Sequence, residues 1–320
     1  MNTPIIETRP AETIAQVTAV CKDIFEITAE TEKGLARIKR SHYQNQPSDY
    51  PTTGDYVAVD WRGADQSIIH RTLPRTSSLS RLDSFKGTEQ MIAANFNYVM
   101  ILQSIGHDFN LRRLERYLTL AWQSGAIPLV LLTKIDTGKD YSDQLAAAQK
   151  VALGTEVHAI SAQTGAGIAE LNQYLRPEKT AVLVGSSGVG KSTLINRLLG
   201  KEVMATSAIR EKDGRGRHTT SHRQLFQLAN GAKLIDTPGM REVGMWDVSQ
   251  GLEVLRMSKA ILANVNLTTV VIKANLIAQS KKRCEMASCP QSVGKAILNS
   301  TRKRNIRMTK PPIYEKKKFG

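Results

Sequence analysis

Residues 182–194 read VLVGSSGVGKSTL, an apolar strand, a glycine-rich turn and the start of a helix. The stretch GSSGVGKS matches GxxxxGK[ST], with Gly185, Gly190, Lys191 and Ser192 at the fixed positions. A loop of this kind links a strand to the helix that covers it, so the chain around it has to build a parallel α/β sheet. Glycines let the backbone curl until successive N–H groups face one anion, and the helix N-terminus adds the positive end of its dipole. The expected phosphate contacts are Gly185, Ser186, Ser187, Gly188, Val189, Gly190, Lys191, Ser192 and Thr193. Lys191 is expected against the β- and γ-phosphates, and the Ser192 hydroxyl on Mg²⁺.

The flanking pattern agrees. From Gln90 onward, apolar strands alternate with amphipathic helical stretches: YVMILQS precedes LRRLERYLTLAWQSG, IPLVLLTKID precedes YSDQLAAAQKVALG, EVHAISA precedes IAELNQYL, and KTAVLVG leads into KSTLINRLLG. This alternation predicts a sheet covered on both faces. Between Ile14 and about Arg75, the β-rich runs AQVTAV, IFEITAE, GLARIKR, DYVAVDW and SIIHRTL are separated by turn formers such as QNQPSDYPTTGD. Five strands in so short a span predict a small barrel of the oligonucleotide-binding (OB) kind; another small barrel or a sandwich is the competing reading. The polar segment 76–88, TSSLSRLDSFKGT, reads as a linker. The expected fold class is therefore multidomain: an OB-like β-barrel at 1–75, the linker, a P-loop α/β domain at 89–248, and a basic C-terminal segment at 249–320 whose periodicity defines no fold.

The phosphate loop does not say which base is bound, but TKID at 133–136 does. Asp136 can accept two hydrogen bonds from N1–H and the exocyclic amine of guanine, a donor pair that adenine lacks, while the Lys134 stem lies along the base. A site built around such a buried carboxylate rejects a purine that leaves it unpaired. SAQTG at 161–165 follows another apolar strand, and from there Ser161 and the Ala162 amide are placed to meet guanine O6. Both stretches sit at strand carboxyl ends, where open α/β sheets bind ligands; Thr133 joins the same set. Downstream, LIDTPG ends a strand with Asp236, suited to the Mg²⁺ shell, and Gly239, whose N–H suits the γ-phosphate. Between them GRGRHTTSHR carries Thr219 and Thr220, either of which can offer a hydroxyl to Mg²⁺ and so make a triphosphate-ordered switch. The competing reading is a basic surface loop that touches only RNA.

The formal net charge of the 320-residue chain is +15. Twelve Lys or Arg against Glu285 and Glu315 leave a net of ten positive charges in residues 281–320. Such a balance favours a polyanionic partner, nucleic acid first, with a solvated tail as the plain alternative. Cys21, Cys284 and Cys289 are too few and too scattered for a disulfide framework. The first twenty residues lack a basic start followed by an apolar core, and no apolar run approaches the roughly 18 residues that span a bilayer. A cytoplasmic monomer is expected.

The motifs stand in the order TKxD, SAxxG, phosphate loop, threonine loop, DTPG, so the piece that would read a base precedes the piece that would hold phosphates, whereas ordinary guanine-nucleotide switches place it after. This order is similar to that of the circularly permuted GTPases. With TGDYVAVD, RTLPRTSSLSR, AANFNYVMILQS, GRGRHTTSHRQLF and LIDTPGMREVGMW, residues 10 to 250 resemble the ribosome small-subunit-dependent GTPase A (RsgA) family. The resemblance implies GTP hydrolysis stimulated by the small ribosomal subunit, rRNA binding and a role in late maturation of that subunit. The alternative is an RNA-binding assembly factor in which GTP is a placement signal with negligible hydrolysis. Met240 stands where many GTPases place a water-orienting glutamine and cannot polarise water. His218 is the best substitute to orient or deprotonate the attacking water, or it is a phosphate-backbone contact.

The resemblance stops after GMREVGMWDVSQGLE. The family's zinc cluster of three cysteines and one histidine is expected some thirty residues past Asp236, but that region, LANVNLTTVVIKANL, has neither residue type. Cys284 and Cys289 supply two ligands where a structural zinc site needs four, so zinc is not expected. Two readings of the segment stand, a divergent RNA-binding tail or translation out of the family's frame; the abrupt break favours the second.

Overall fold

Alternation of inward and outward side chains shapes the first five strands. β1 (Thr13–Cys21), β2 (Ile24–Ala29), β3 (Glu32–Ile38), β4 (Tyr56–Asp60) and β5 (Ser67–Thr72) close in the order β1-β2-β3-β5-β4-β1, with β3 and β5 parallel. Their inward residues, among them Val17, Phe25, Ile27, Val57, Val59 and Ile69, form one buried core. Five strands closed in this Greek-key manner make the OB-like barrel expected from the sequence. The structure is a computed structural model and describes residues 12–21, 23–43, 49–63, 66–83, 88–137, 140–204 and 223–237. The C-terminal segment 249–320, with Cys284 and Cys289, lies outside the described residues.

The second sheet is built from β8 (Tyr98–Ser104), β9 (Ile127–Thr133), β10 (Glu156–Ala159), β11 (Thr180–Gly185), β12 (Arg223–Gln227) and β13 (Lys233–Asp236), in the order β10-β9-β8-β11-β13-β12. All neighbours are parallel except β12, which runs antiparallel to β13. Its central strands are buried on both faces. Val99, Ile101, Val130, Leu132, Val182 and Val184 point to the side of α1 (Leu111–Gln123), where Leu114, Tyr117 and Leu118 meet them. Met100, Leu102, Leu129, Leu131, Ala181 and Leu183 point to the other side, towards Leu194 and Ile195 of α3 (Lys191–Leu199). Asn110 starts α1 by accepting a hydrogen bond from the Arg113 N–H. The helix α2 (Ser142–Val151) follows β9 and adds Ala148 to the first layer.

Two elements differ from the sequence reading. The linker segment 76–88 carries β6 (Ser78–Asp83), paired with β7 (Thr88–Ala94) in a separate two-stranded ribbon. Its serines and arginine disguise a period of two, in which Leu79 turns inward against Ile92 and Ala93. IAELNQYL, expected as a helix, forms only a short 3₁₀ turn at Ala169–Gln173, with Leu171, Tyr174 and Leu175 buried.

Barrel and sheet are joined edge to edge. The end of β1 pairs antiparallel with the start of β12, Ala19 opposite Gln224 and Val20 opposite Arg223, so eleven strands form one continuous ladder. Thr53 Oγ1 donates to Arg223 O at 3.2 Å, and Lys233 Nζ donates to Gln16 Oε1 at 2.5 Å. Gly54, at φ +94°, passes so close to β7 that an added Cβ would lie 2.1 Å from Ala94 O, which is why this seam needs glycine. Next to it Asp55, wholly buried, receives Arg75 through two 2.8 Å bonds and the Thr52 N–H at 2.8 Å. Removing one partner of a buried pair strands the other charge, whereas a half-exposed pair contributes little. Denaturant unfolding should therefore show Asp55→Ala destabilised by about 3–5 kcal/mol. Asp60→Ala, which breaks the exposed Asp60–Arg62 pair, should change stability by less than about 1 kcal/mol.

Candidate functional site

Parallel register brings the strand ends to one edge. Gly185 of β11 sits opposite Leu102, Ser104 of β8 opposite Thr133, and Leu183 opposite Asp236. The loops carrying Thr133–Asp136, Ser161–Gly165, Gly185–Ser192 and Asp236 therefore gather at the carboxyl ends, where α/β sheets hold ligands.

At Gly185 a Cβ would lie 2.7 Å from Leu102 O, and Gly190 takes φ +105° immediately before α3. Gly185 leaves no room for a side chain and Gly190 holds a left-handed backbone that side chains resist, and the curl they permit turns Lys191 back under its own loop. Lys191 Nζ is buried and donates to Gly185 O at 2.8 Å and Ser186 O at 2.9 Å. An ammonium has three donors, so one N–H remains for an anion above the loop. Ser192 and Thr193, half-buried in the first turn of α3, are placed beside it.

Asp236 lies beneath the same loop. Its side chain is buried, and among the described residues Oδ1 has no hydrogen-bond partner. Burial pushes its pKa up to about 6, against the opposing pull of Lys191 and the Thr237 N–H. Burial likewise pushes the Lys191 ammonium down to about 8, with Asp236 opposing. A buried carboxylate oxygen left without a hydrogen-bond partner beside a lysine is the kind of unrelieved polarity that a phosphate-bound cation relieves.

The loop of Thr133–Asp136 is tied to the glycine-rich loop directly. Thr133 Oγ1, buried, donates to Val189 O at 2.6 Å. The next residue, Lys134, adopts φ +65°, a left-handed conformation that β-carbons resist and that marks functional loops. Asp136 Oδ1 accepts from Ser161 Oγ at 2.6 Å, and the same oxygen of Ser161 accepts from the Thr164 N–H at 3.0 Å. Asp136 is exposed rather than buried, because it stands on a short turn beyond the sheet edge with one carboxylate face open. Ala162, half-buried, follows Ser161 on the same side.

Two further residues support the constellation, and no motif announces them. Arg197 of α3 donates to Gln163 O and Thr164 O at 3.3 and 3.1 Å, clamping the Ser161–Gly165 loop to α3. Asp108, from the loop after β8, accepts from Ser186 Oγ at 2.8 Å. His218, Thr219, Thr220, Gly239 and Met240 lie outside the described residues.

The sequence profile of the RsgA GTPase family matches residues 72–246, the span of these loops. The chain belongs to the RsgA GTPase family. Among RsgA relatives, a Listeria innocua protein named small ribosomal subunit biogenesis GTPase RsgA 1 is 45% identical over 239 residues, which is 74% of this chain and 68% of that protein. A Methanosarcina acetivorans RsgA is 46% identical over 205 residues, 63% of this chain and 56% of its own length. The fold is shared with two crystal structures. YjeQ from Thermotoga maritima matches with a TM-score of 0.52 at 24% identity, over 72% of this chain and 75% of that one. YloQ, described as a circularly permuted GTPase, matches with a TM-score of 0.55 at 16% identity, over 88% and 97%.

The Asp236 carboxyl has a testable signature. Its folded pKa lies above the ordinary 3.8, so protonation favours the folded state: this contribution is present below about pH 4 and lost as pH rises through about 6. In nucleotide- and Mg²⁺-free protein, Asp236→Asn should raise the thermal midpoint at pH 7.5 by a few degrees. The gain should shrink as pH falls through about 6 and approach zero only near about pH 4, as followed by differential scanning calorimetry.

Proposed function

We propose that this protein is a Mg²⁺-dependent GTP hydrolase that acts in late maturation of the small ribosomal subunit. Family membership supports hydrolysis of GTP, and the names carried by its relatives support the subunit as partner. One observation carries the assignment of the site: the buried 2.6 Å bond from Thr133 to Val189 O, which sets the base-reading strand against the phosphate loop. One nucleotide can then touch Asp136 at one end and Lys191 at the other.

In this reading the guanine N1–H and amine donate to Asp136, held in place by Ser161, while Lys134 covers the ring and the Ala162 amide meets O6. The N–H groups of 185–193 and the free donor of Lys191 bind the β- and γ-phosphates. The oxygens of Ser192 and Asp236 suit a hard cation such as Mg²⁺, with Thr220 joining them when triphosphate is bound. Held there, such an ion would supply charge neutralisation for the phosphates. Phosphoryl transfer needs mainly positioning and electrostatics. Among the residues outside the described set, His218 orients the water, Thr219 or Thr220 senses the γ-phosphate, and the Gly239 N–H meets it.

The barrel and the basic surfaces dock on rRNA. Lys33, Arg37 and Lys39 are exposed on and just after β3, where phosphate contacts give salt-dependent affinity. In this reading the protein is a monomer working in the cytoplasm; separately, no helix among the described residues is long and apolar enough to cross a membrane.

Turnover of GTP, measured with and without purified small subunits, tests the proposal. Small subunits should raise the rate at least about tenfold, a barrier lowered by about 1.4 kcal/mol, and Lys191→Ala should abolish turnover in both conditions. GTP-dependent subunit binding without any stimulated turnover would instead make the nucleotide a placement signal.

A further inference from the structure

We infer that Asp108 is a positioning residue of the phosphate loop: it fixes the loop's shape through Ser186 and thereby sets nucleotide affinity without touching the nucleotide. The inference rests on the reading of this loop as the GTP phosphate site.

Asp108 is separated from the loop by 78 positions in sequence, yet its Oδ2 accepts from Ser186 Oγ at 2.8 Å. Ser186 is buried, and its carbonyl is one of the two that hold Lys191 Nζ. The peptide braced through the Ser186 side chain is thus the one that aims the lysine. Asp108 is itself fixed. Its carboxylate pairs with Arg113 of α1 at 2.9 Å, and its carbonyl accepts from the same guanidinium and from Gln103 Nε2 at 2.7 Å. A continuous polar path therefore runs from α1 through Asp108 and Ser186 to Lys191.

Hydrogen bonds to an ionised acceptor are about twice as strong as neutral ones, and Ser186 has its donor on such an acceptor. A glycine-rich loop has little else to hold it, because its glycines carry no side chains and its conformational entropy is large. Ser186 is the first variable position of GSSGVGKS, and its hydroxyl is committed to Asp108. Beneath it the packing is incompletely satisfied: Gln103 Oε1 and Arg113 Nε are buried with no hydrogen-bond partner among the described residues. Neither atom engages Ser186, whose hydroxyl is given to the Asp108 carboxylate instead.

Binding of fluorescent GDP to the full-length chain, alongside thermal unfolding, tests the inference. Asp108→Ala and Ser186→Ala should each raise the Kd about tenfold, the worth of one such bond. The double variant should be no weaker than either single, since both remove the same bond. Asp108→Asn keeps an acceptor for Ser186 and should stay within about threefold of the wild type. A purely structural role would lower the thermal midpoint while leaving the Kd of the folded fraction unchanged, and that result overturns the inference, as do additive effects in the double variant. Wild-type protein that fails to bind GDP would overturn this inference together with the GTP site it rests on.

Discussion

A single buried hydrogen bond, from the hydroxyl of Thr133 to the carbonyl of Val189, makes two distant stretches of sequence into one site. Both ends are also held independently of the bond. Thr133 ends a strand locked by its parallel register with β8, and Val189 belongs to a loop whose start is locked by the register of β11 with the same strand. The central strands are packed on both faces, so neither end can shift without disturbing the core. Positions at the carboxyl edge depend on neighbours in the sheet, not on which strand the ribosome makes first. Inverting the motif order therefore leaves the arrangement intact: β9 precedes β11 and the glycine-rich loop in the chain and still lies two strands away from them in space.

Permutation does change what is attached to the sheet. β12, which begins directly after the threonine loop, is the strand on which β1 of the barrel continues the ladder. Arg223, its first residue, donates to Met91 O of the ribbon and lies opposite Val20. Burial pushes its guanidinium down to about 10, with Arg81 adding to the effect. The barrel expected to meet RNA is thus hydrogen-bonded to the strand that follows the expected switch. Movement there would reach the barrel through backbone bonds rather than through a flexible tether, whose length would absorb it.

Much of this is legible in the residues. The five barrel runs, the phosphate loop and the alternating α/β pattern announce themselves because period and glycine placement are local properties. The β6 strand escapes a sequence reading because its serines and charges outweigh the alternation of Leu79. The IAELNQYL segment reads as a helix because its apolar residues are spaced as a helix would space them, although packing of Leu171, Tyr174 and Leu175 needs only a tight turn. The depth of Asp136 is misjudged from sequence since a motif fixes chemistry and not burial. Asp55–Arg75, Arg197 and Asp108 are out of reach because their partners are set by tertiary contacts, across 20, 33 and 78 residues in the chain.

The central claim is that Asp136 reads a base whose phosphates lie on Lys191, and a change of base tests it most directly. Xanthine carries a carbonyl where guanine has its exocyclic amine, so the side-chain amide of an Asp136→Asn variant can donate to it while still accepting from N1–H. Titration of GTP and xanthosine triphosphate should show the wild type preferring GTP and the variant reversing that preference, each by on the order of 100-fold. Equal affinity of both proteins for the two nucleotides would mean that Asp136 does not face the base, and the shared site would be lost.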